Sequence, residues 1–316
     1  MIIVVTNRNL VQGATGSNLF GEGTNAKGPD EIRLATANYD PSDKRWQLTL
    51  VPETSLAQGT APSQLVFSEV MAGIRAGKYK QQWVFYIHGF NQSFQQSLEA
   101  SWRIAQLYGV DVILFSWPSN PGGVVLDEYK RARQAAKASA NALDRTLEKL
   151  GKYLKSRPLA EIQRCPISLN LLVHSLGNYL VENFVRDPIF AWETRIFDNL
   201  IFHQADVDNR LHKYWIDRLD YSRRIYVTIN EEDLILKASD MINPARLGNT
   251  LQGLNGRRPI YMDFTRGQNI GGAHDLFMGI PGNEIVTQFF REVLRGNRGE
   301  TVDGFTFDSR INAFRL

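Results

Sequence analysis

The 316-residue sequence predicts an α/β fold: a mainly parallel central sheet flanked by helices, with an antiparallel β extension at its N-terminal edge. Three observations predict it. From about residue 82 onward, short apolar runs of strand length alternate with longer segments of helical spacing, the pattern of βαβ units. The first eighty residues differ, with three short β-rich runs separated by turns rich in Gly and Asn, as suits antiparallel edge strands. Finally, an apolar run at 167–173 ends in His174-Ser175-Leu176-Gly177 and passes at once into helical spacing at 178–185.

The elements follow in order. Runs at 2–5, 32–37 and 46–51 form the N-terminal edge. Residues 83–87 are a strand leading into His88-Gly89-Phe90-Asn91, and 93–108 a helix stopped by Gly109. The strand at 110–115 ends in Ser116-Trp117-Pro118-Ser119. After a loop rich in Pro and Gly, residues 126–154 read as one long helix dense in Ala, Leu, Lys and Glu. Beyond the strand and helix around Ser175, residues 199–205 are a strand and 209–219 a helix opened by Asp208 as N-cap. Strands at 224–229 and 259–264 and an amphipathic helix at 284–294 complete the core. The tail from Gly296 is polar but regains Phe305, Phe307 and Phe314, which predicts that it packs back. There is no linker or internal repeat, so 1–316 reads as a single domain: a β-rich edge at 1–80, a core at 81–295 and a tail at 296–316.

Composition narrows the partners. Hydrophobic content of 43% with 22% charged residues is ordinary for a globular chain. The single cysteine, Cys165, excludes an internal disulfide and, placed before Pro166 at a strand entrance, reads as a packing residue. The apolar start at 2–5 is too brief for a signal-peptide core, and no run approaches the ~20 residues of a membrane span. A net charge of +3 is too small to argue for nucleic acid, and Lys130, Arg131, Arg133 and Lys137 read as the solvated face of a helix. The expectation is a soluble, cytoplasmic chain, with secretion not strictly excluded; the oligomeric state is not readable.

A serine on a tight strand-to-helix turn stands clear of the sheet, and Gly177 supplies the missing side chain where strand and helix crowd together. A serine hydroxyl is a weak nucleophile, so it needs a base, an orienting acid and an oxyanion site. The chain has five histidines. His174 adjoins the serine and should point away from it. His88 follows an early strand, His203 lies in a strand and His212 in a helix. His274 follows the last core strand, where the chain order Ser, Asp, His puts the base. Asp233, after the strand ending at Ile229, is the preferred acid, and Asp206 the alternative. Gly89 permits close backbone approach, so the amides of Phe90 and Leu176 are the expected oxyanion donors, aided by the positive helix terminus. His203, Asp206, Asp208 and His212 have the composition of a metal site, but the first three span a strand end where alternate residues face opposite ways. No metal and no cofactor are expected.

With these residues in place, the chain resembles the α/β-hydrolase superfamily, and within it the bacterial family of unknown function DUF900. The shared features run in order along most of the chain: Thr6-Asn7-Arg8, Phe20-Gly21, His88-Gly89-Phe90-Asn91 with Ser93-Phe94, Ser116-Trp117-Pro118-Ser119, Tyr129, and His174-Ser175-Leu176-Gly177-Asn178. Ala205-Asp206-Val207-Asp208, Asp233-Leu234-Ile235-Leu236 with Ser239, Arg246-Leu247-Gly248 and His274 complete them. One departure is Val173, where a small residue is usual two positions before the serine. The resemblance implies a serine hydrolase with Ser175 as nucleophile and favours Asp233 and His274 as partners. The substrate class expected is a small-molecule or lipid-like ester with an apolar acyl group, held around His88, Gly89, Asn91 and Trp117, as in a carboxylesterase or lipase-like enzyme. Thioesterase, amidase or peptidase activity would use the same residues, and a non-catalytic binding module on the same fold is the remaining alternative.

Overall fold

Strands covered on both faces are apolar at successive positions, and the alternation of side chains sorts those positions into two cores. The computed structural model describes residues 1–52, 61–157, 167–189 and 196–316; Cys165 and Pro166 lie outside them. In chain order the elements are β1 (Ile2–Thr6), β2 (Arg8–Leu10), β3 (Phe20–Thr24), β4 (Arg33–Asp40), β5 (Arg45–Leu50), α1 (Pro62–Arg75), β6 (Gln82–Ile87) and α2 (Phe94–Tyr108). There follow β7 (Asp111–Ser116), α3 (Val125–Ala138), α4 (Ala140–Lys155), β8 (Ser168–His174), α5 (Gly177–Arg186), β9 (Phe197–His203) and α6 (Lys213–Ile216). The chain closes with β10 (Ser222–Ile229), α7 (Leu234–Asp240), β11 (Pro259–Asp263), α8 (Glu284–Val293), β12 (Thr306–Asp308) and β13 (Ala313–Arg315).

Eleven strands form one sheet in the order β12-β13-β11-β10-β9-β8-β6-β7-β1-β4-β5. From β13 across to β1 every pair is parallel, while β4, β5 and β12 add antiparallel edges. This is the α/β architecture expected, with its antiparallel N-terminal extension. A second, two-stranded sheet pairs β2 with β3. Phe85, Ile87, Leu171, Val173 and Phe202 face one core, closed by α1, α3, α4, α5 and α6. Val84, Tyr86, Leu172 and Ile201 face the other, closed by α2 and α8. The chain leaves β6 toward β7 and leaves β8 toward β9, on opposite sides. Open α/β sheets bind ligands at such a reversal, here at the C-terminal ends of β6 and β8.

The structure differs from the sequence reading at four places. The long helix is two, α3 and α4, broken at Ser139. The Ser139 hydroxyl donates back to the Ala135 carbonyl at 2.8 Å and accepts from Asn7 Nδ2 at 2.9 Å, a local bond that competes with the helix. The expected helix at 209–219 is a 3-10 turn at Asn209–Leu211 followed by the four-residue α6, and Asp208 makes no cap bond; its carboxylate pairs with Arg246 instead. Helix α1 was not anticipated, although Pro62 at its first turn and Val66, Val70 and Ile74 at helical spacing mark it. The small β2–β3 sheet was missed because its strands carry Arg, Asn, Gly and Glu in place of an apolar run. In the tail, β13 joins the sheet beside β11, and Phe305 and Phe314 pack on the core while Phe307 stays half exposed.

Leu172 is fully buried at the centre of β8, between β6 and β9. Leu172→Ala is expected to cost about 2–5 kcal/mol, read as a lowered urea midpoint with an unchanged slope.

Candidate active site

The handover from β8 to α5 takes two residues, Ser175 and Leu176. Ser175 sits at φ +51°, a left-handed conformation that a non-glycine residue adopts only when its surroundings enforce it. They do so here through hydrogen bonds. The Ser175 N–H donates to the His203 carbonyl at the end of β9 (3.0 Å). The Ser175 carbonyl accepts from the backbone N–H groups of Asn178 (3.0 Å) and Asp206 (3.2 Å), and from Asn178 Nδ2 (2.9 Å). Gly177 is required because a Cβ there would lie 2.7 Å from the His88 carbonyl oxygen. A Cβ on Gly89 would lie 2.8 Å from that of Ser175. The loop after β6 therefore lies directly against the serine turn. Val173 is fully buried, paired with Ile87 and Phe202, so the branched side chain is absorbed by the core beneath the turn.

His274 Nδ1 lies 2.6 Å from Asp233 Oδ2. Facing a carboxylate, Nδ1 carries the proton, which leaves the lone pair of the neutral ring on Nε2. Asp233 has no exposed surface and both its oxygens are occupied. Oδ1 accepts from the amides of Ile235 (2.9 Å) and Leu236 (3.0 Å), capping α7. Oδ2 accepts from Gln204 Nε2 at 2.6 Å as well as from His274. Asp206, the alternative acid, is engaged elsewhere: Tyr129 donates to it at 2.9 Å and Ser239 at 2.7 Å, with buried Arg246 3.8 Å away. Burial, reinforced by Asp206, pushes the Tyr129 phenol up.

Gln204 carries no catalytic motif and was missed in the sequence. It is buried at φ +39°, and its Nε2 bridges Asp233 to the Ala273 carbonyl (2.8 Å), the residue before His274. Only the unusual backbone angle distinguishes it, and sequence does not report that. His203 extends the same frame. Its Nε2 donates to the His274 carbonyl (3.2 Å) and its Nδ1 accepts from Thr228 (2.7 Å). Burial, with His174 and His274 adding to it, holds the His203 imidazole well below its ordinary pKa.

The loop of His88-Gly89-Phe90-Asn91 is built on a second neutral imidazole. His88 Nδ1 donates to the Gly89 carbonyl (3.0 Å), and its Nε2 accepts from the Trp117 N–H (3.2 Å). The Trp117 indole donates to the His88 carbonyl (2.9 Å), with the two rings stacked at 5.5 Å. Of the residues expected around an acyl group, His88 and Trp117 thus have no exposed surface and support the loop from beneath, whereas Asn91 is exposed at φ +55°. Phe90 is half-buried against Tyr129. Among the described residues, neither the Phe90 nor the Leu176 amide has a backbone partner, as expected of donors left free at a loop tip and a helix start.

The other residues singled out in the sequence lie apart. His212 bonds to the Asn209 carbonyl and to Tyr261. His203 and His212 have separate partners and Asp206 and Asp208 share only Arg246, so among the described residues the four form no metal-binding cluster. His174 does not fall away from the site: its ring lies 4.7 Å from that of His274 and its Nε2 3.1 Å from Asp275. Burial pushes the Asp275 carboxyl up, but contact with His174, with His274 and His203 nearby, outweighs it and holds the group well below the usual range. Arg133 is not simply a solvated charge; it lies 3.8 Å over the Tyr179 ring.

Burial, with Arg8 nearby, pushes the His88 imidazole down to about 3 from an ordinary 6.5. Between those values the unfolded chain takes up a proton that the folded chain refuses. Stability is therefore expected to fall as pH drops from 6.5 toward 3, by about 1.4 kcal/mol per pH unit for this one group. His203 and His212, also shifted down by burial, act in the same direction. Urea unfolding across pH 4–7 should show a shallower acid slope in His88→Gln than in the wild-type protein.

No curated protein and no solved structure matches the chain. The family model described as "Alpha/beta hydrolase of unknown function (DUF900)" matches residues 68–255, more than half of the chain, spanning Ser175 and Asp233 and ending before His274. With a mainly parallel sheet, a serine at the β8–α5 turn and that match, the chain belongs to the α/β-hydrolase family of unknown function DUF900.

Proposed function

We propose that the chain is a serine hydrolase acting by Ser-His-Asp acyl transfer, with a carboxylic ester of an apolar acid as substrate. The observation that carries the reading is the 2.6 Å contact of His274 with Asp233, a fully buried carboxylate, linked through His203 to a serine held in a left-handed turn. Ser175 Oγ attacks the ester carbonyl as its proton passes to His274 Nε2. Asp233 keeps Nδ1 protonated and steadies the imidazolium. The Phe90 and Leu176 amides receive the developing oxyanion. His274 then protonates the leaving alcohol, and water, activated by the same nitrogen, releases the acid and restores Ser175. Asp206, bound to Tyr129 and Ser239, is assigned no part in proton transfer.

The apolar character of the substrate is supported by the rim. Leu234 and Ile235 immediately follow Asp233 and are 66% and 56% exposed. Leu234 overlies the Gly272 backbone of the His274 loop. Val124 and Leu126 at the start of α3, and Met241 and Ile242 after α7, are also exposed. The two elements are tied by the Tyr129–Ser239 bond. Exposed apolar side chains on two elements tied together in this way suit a greasy ligand.

A fluorophosphonate probe is expected to label the wild type at Ser175 and to leave Ser175→Ala unlabelled. Wild type that resists the probe and also ignores short p-nitrophenyl esters would sink the reading. In steady-state assays on the best ester of a panel varying in acyl length, Asp233→Asn should lower kcat by about ten-thousand-fold. Asp206→Asn should lower it far less; the reverse order would transfer the acid role.

A further inference from the structure

Beside the proposed base lies an imidazole that acyl transfer does not use. His174 is 3% exposed, and among the described residues neither of its ring nitrogens makes a well-aligned hydrogen bond. Its Nε2 is 3.1 Å from Asp275 Oδ1, an ion-pair contact with a half-exposed carboxylate. Buried polar groups are normally satisfied, so an unsatisfied one calls for a ligand. His174, His274 and Asp275 each offer a ligand atom, and these atoms all lie within 4.8 Å of one another.

We propose that His174, His274 and Asp275 form a site for a divalent first-row transition ion such as Zn2+, and that the ion switches the enzyme off. Two imidazoles and a carboxylate are a donor set that zinc accepts, with a fourth position left for water. Ligands bound at ~2.1 Å to a tetrahedral ion stand about 3.4 Å apart, so atoms now within 4.8 Å of one another close on the metal with a shift of about 1.4 Å or less. The Asp275 side chain is 56% exposed, which provides both an entry path and a ligand free to make that shift. Asp233 already holds His274 Nδ1, the carboxylate–histidine arrangement that orients metal-bound imidazoles. The nitrogen left for the ion is Nε2, whose single lone pair cannot bind zinc and accept the Ser175 proton at once. The inhibition rests on the serine-hydrolase reading; the site does not.

The metal-stripped, full-length protein titrated with Zn2+ in a calorimeter is expected to take up one ion per chain. Asp275→Asn and His274→Ala should each weaken binding at least tenfold, while Ser175→Ala binds zinc as the wild type does. Asp275→Asn replaces a half-exposed group with an isostere, so its result does not depend on the buried His174 tolerating substitution. Fluorophosphonate labelling should fall over the same zinc range that fills the site and return with EDTA. No stoichiometric uptake, or uptake unchanged in Asp275→Asn and His274→Ala, overturns the site. Labelling unchanged or raised at saturating zinc overturns the inhibition. If metal-free wild type is not labelled at all, the hydrolase reading and the inhibition fall together, and calorimetry alone decides the site.

Discussion

The left-handed backbone of Ser175 constrains everything above the sheet, because it turns β8 into α5 within two residues. Such a conformation costs of order 1–3 kcal/mol and persists only where its neighbours over-determine it. Here the end of β9 and the first turn of α5 hold both the amide and the carbonyl of the residue. Those anchors bring the helix start down onto β6, where only glycine fits at 177, and bring the next loop onto the serine, where only glycine fits at 89. The amide-bearing turns of Phe90 and Leu176 are neighbours as a consequence of this one backbone angle.

A loop pressed against a strained turn must itself be stiff, and the N-terminal extension supplies part of the stiffness. Arg8, fully buried just after β1, donates to Ser116 Oγ (2.9 Å) and to the Gln92 carbonyl (2.8 Å) and pairs with Glu22 on β3. It therefore ties the ends of β1 and β7 and the small second sheet to the loop that carries Phe90. A guanidinium taken out of water is tolerable only with its donors occupied. Its retention there fits a bracing role for the added strands, which do more than cover an edge of the sheet.

What the sequence made legible is what local pattern and chain order encode. The parallel core, the serine turn, Gly89 and Gly177 are all written in apolar runs and in residues without side chains. Asp233 was preferred to Asp206 as the acid but not separated from it, because both follow parallel strands. Their difference lies in tertiary partners: Tyr129 and Ser239 take Asp206, while Gln204 and two amides of α7 steady Asp233. The break at Ser139 was equally out of reach, since it depends on Asn7, distant in sequence. The nearness of His174 to His274 was out of reach for a related reason. Alternation along β8 turns it from the serine's side of the strand, but the loop bearing His274 curls over to meet it.

The five histidines show how the fold separates scaffolding from chemistry. His88, His203 and His212 have both ring nitrogens engaged by carbonyls, amides or hydroxyls. Burial disfavours the charged form of each. An imidazole fixed in one tautomer and unable to charge is a rigid two-ended link; it cannot shuttle protons near neutral pH. His203 uses that rigidity to hold the His274 backbone, and His88 to hold the loop of Phe90. The two histidines left over, His174 and His274, lie ring to ring, and only His274 has a buried carboxylate behind it. Of the five, His274 is thereby the imidazole that the proposed proton transfer calls on.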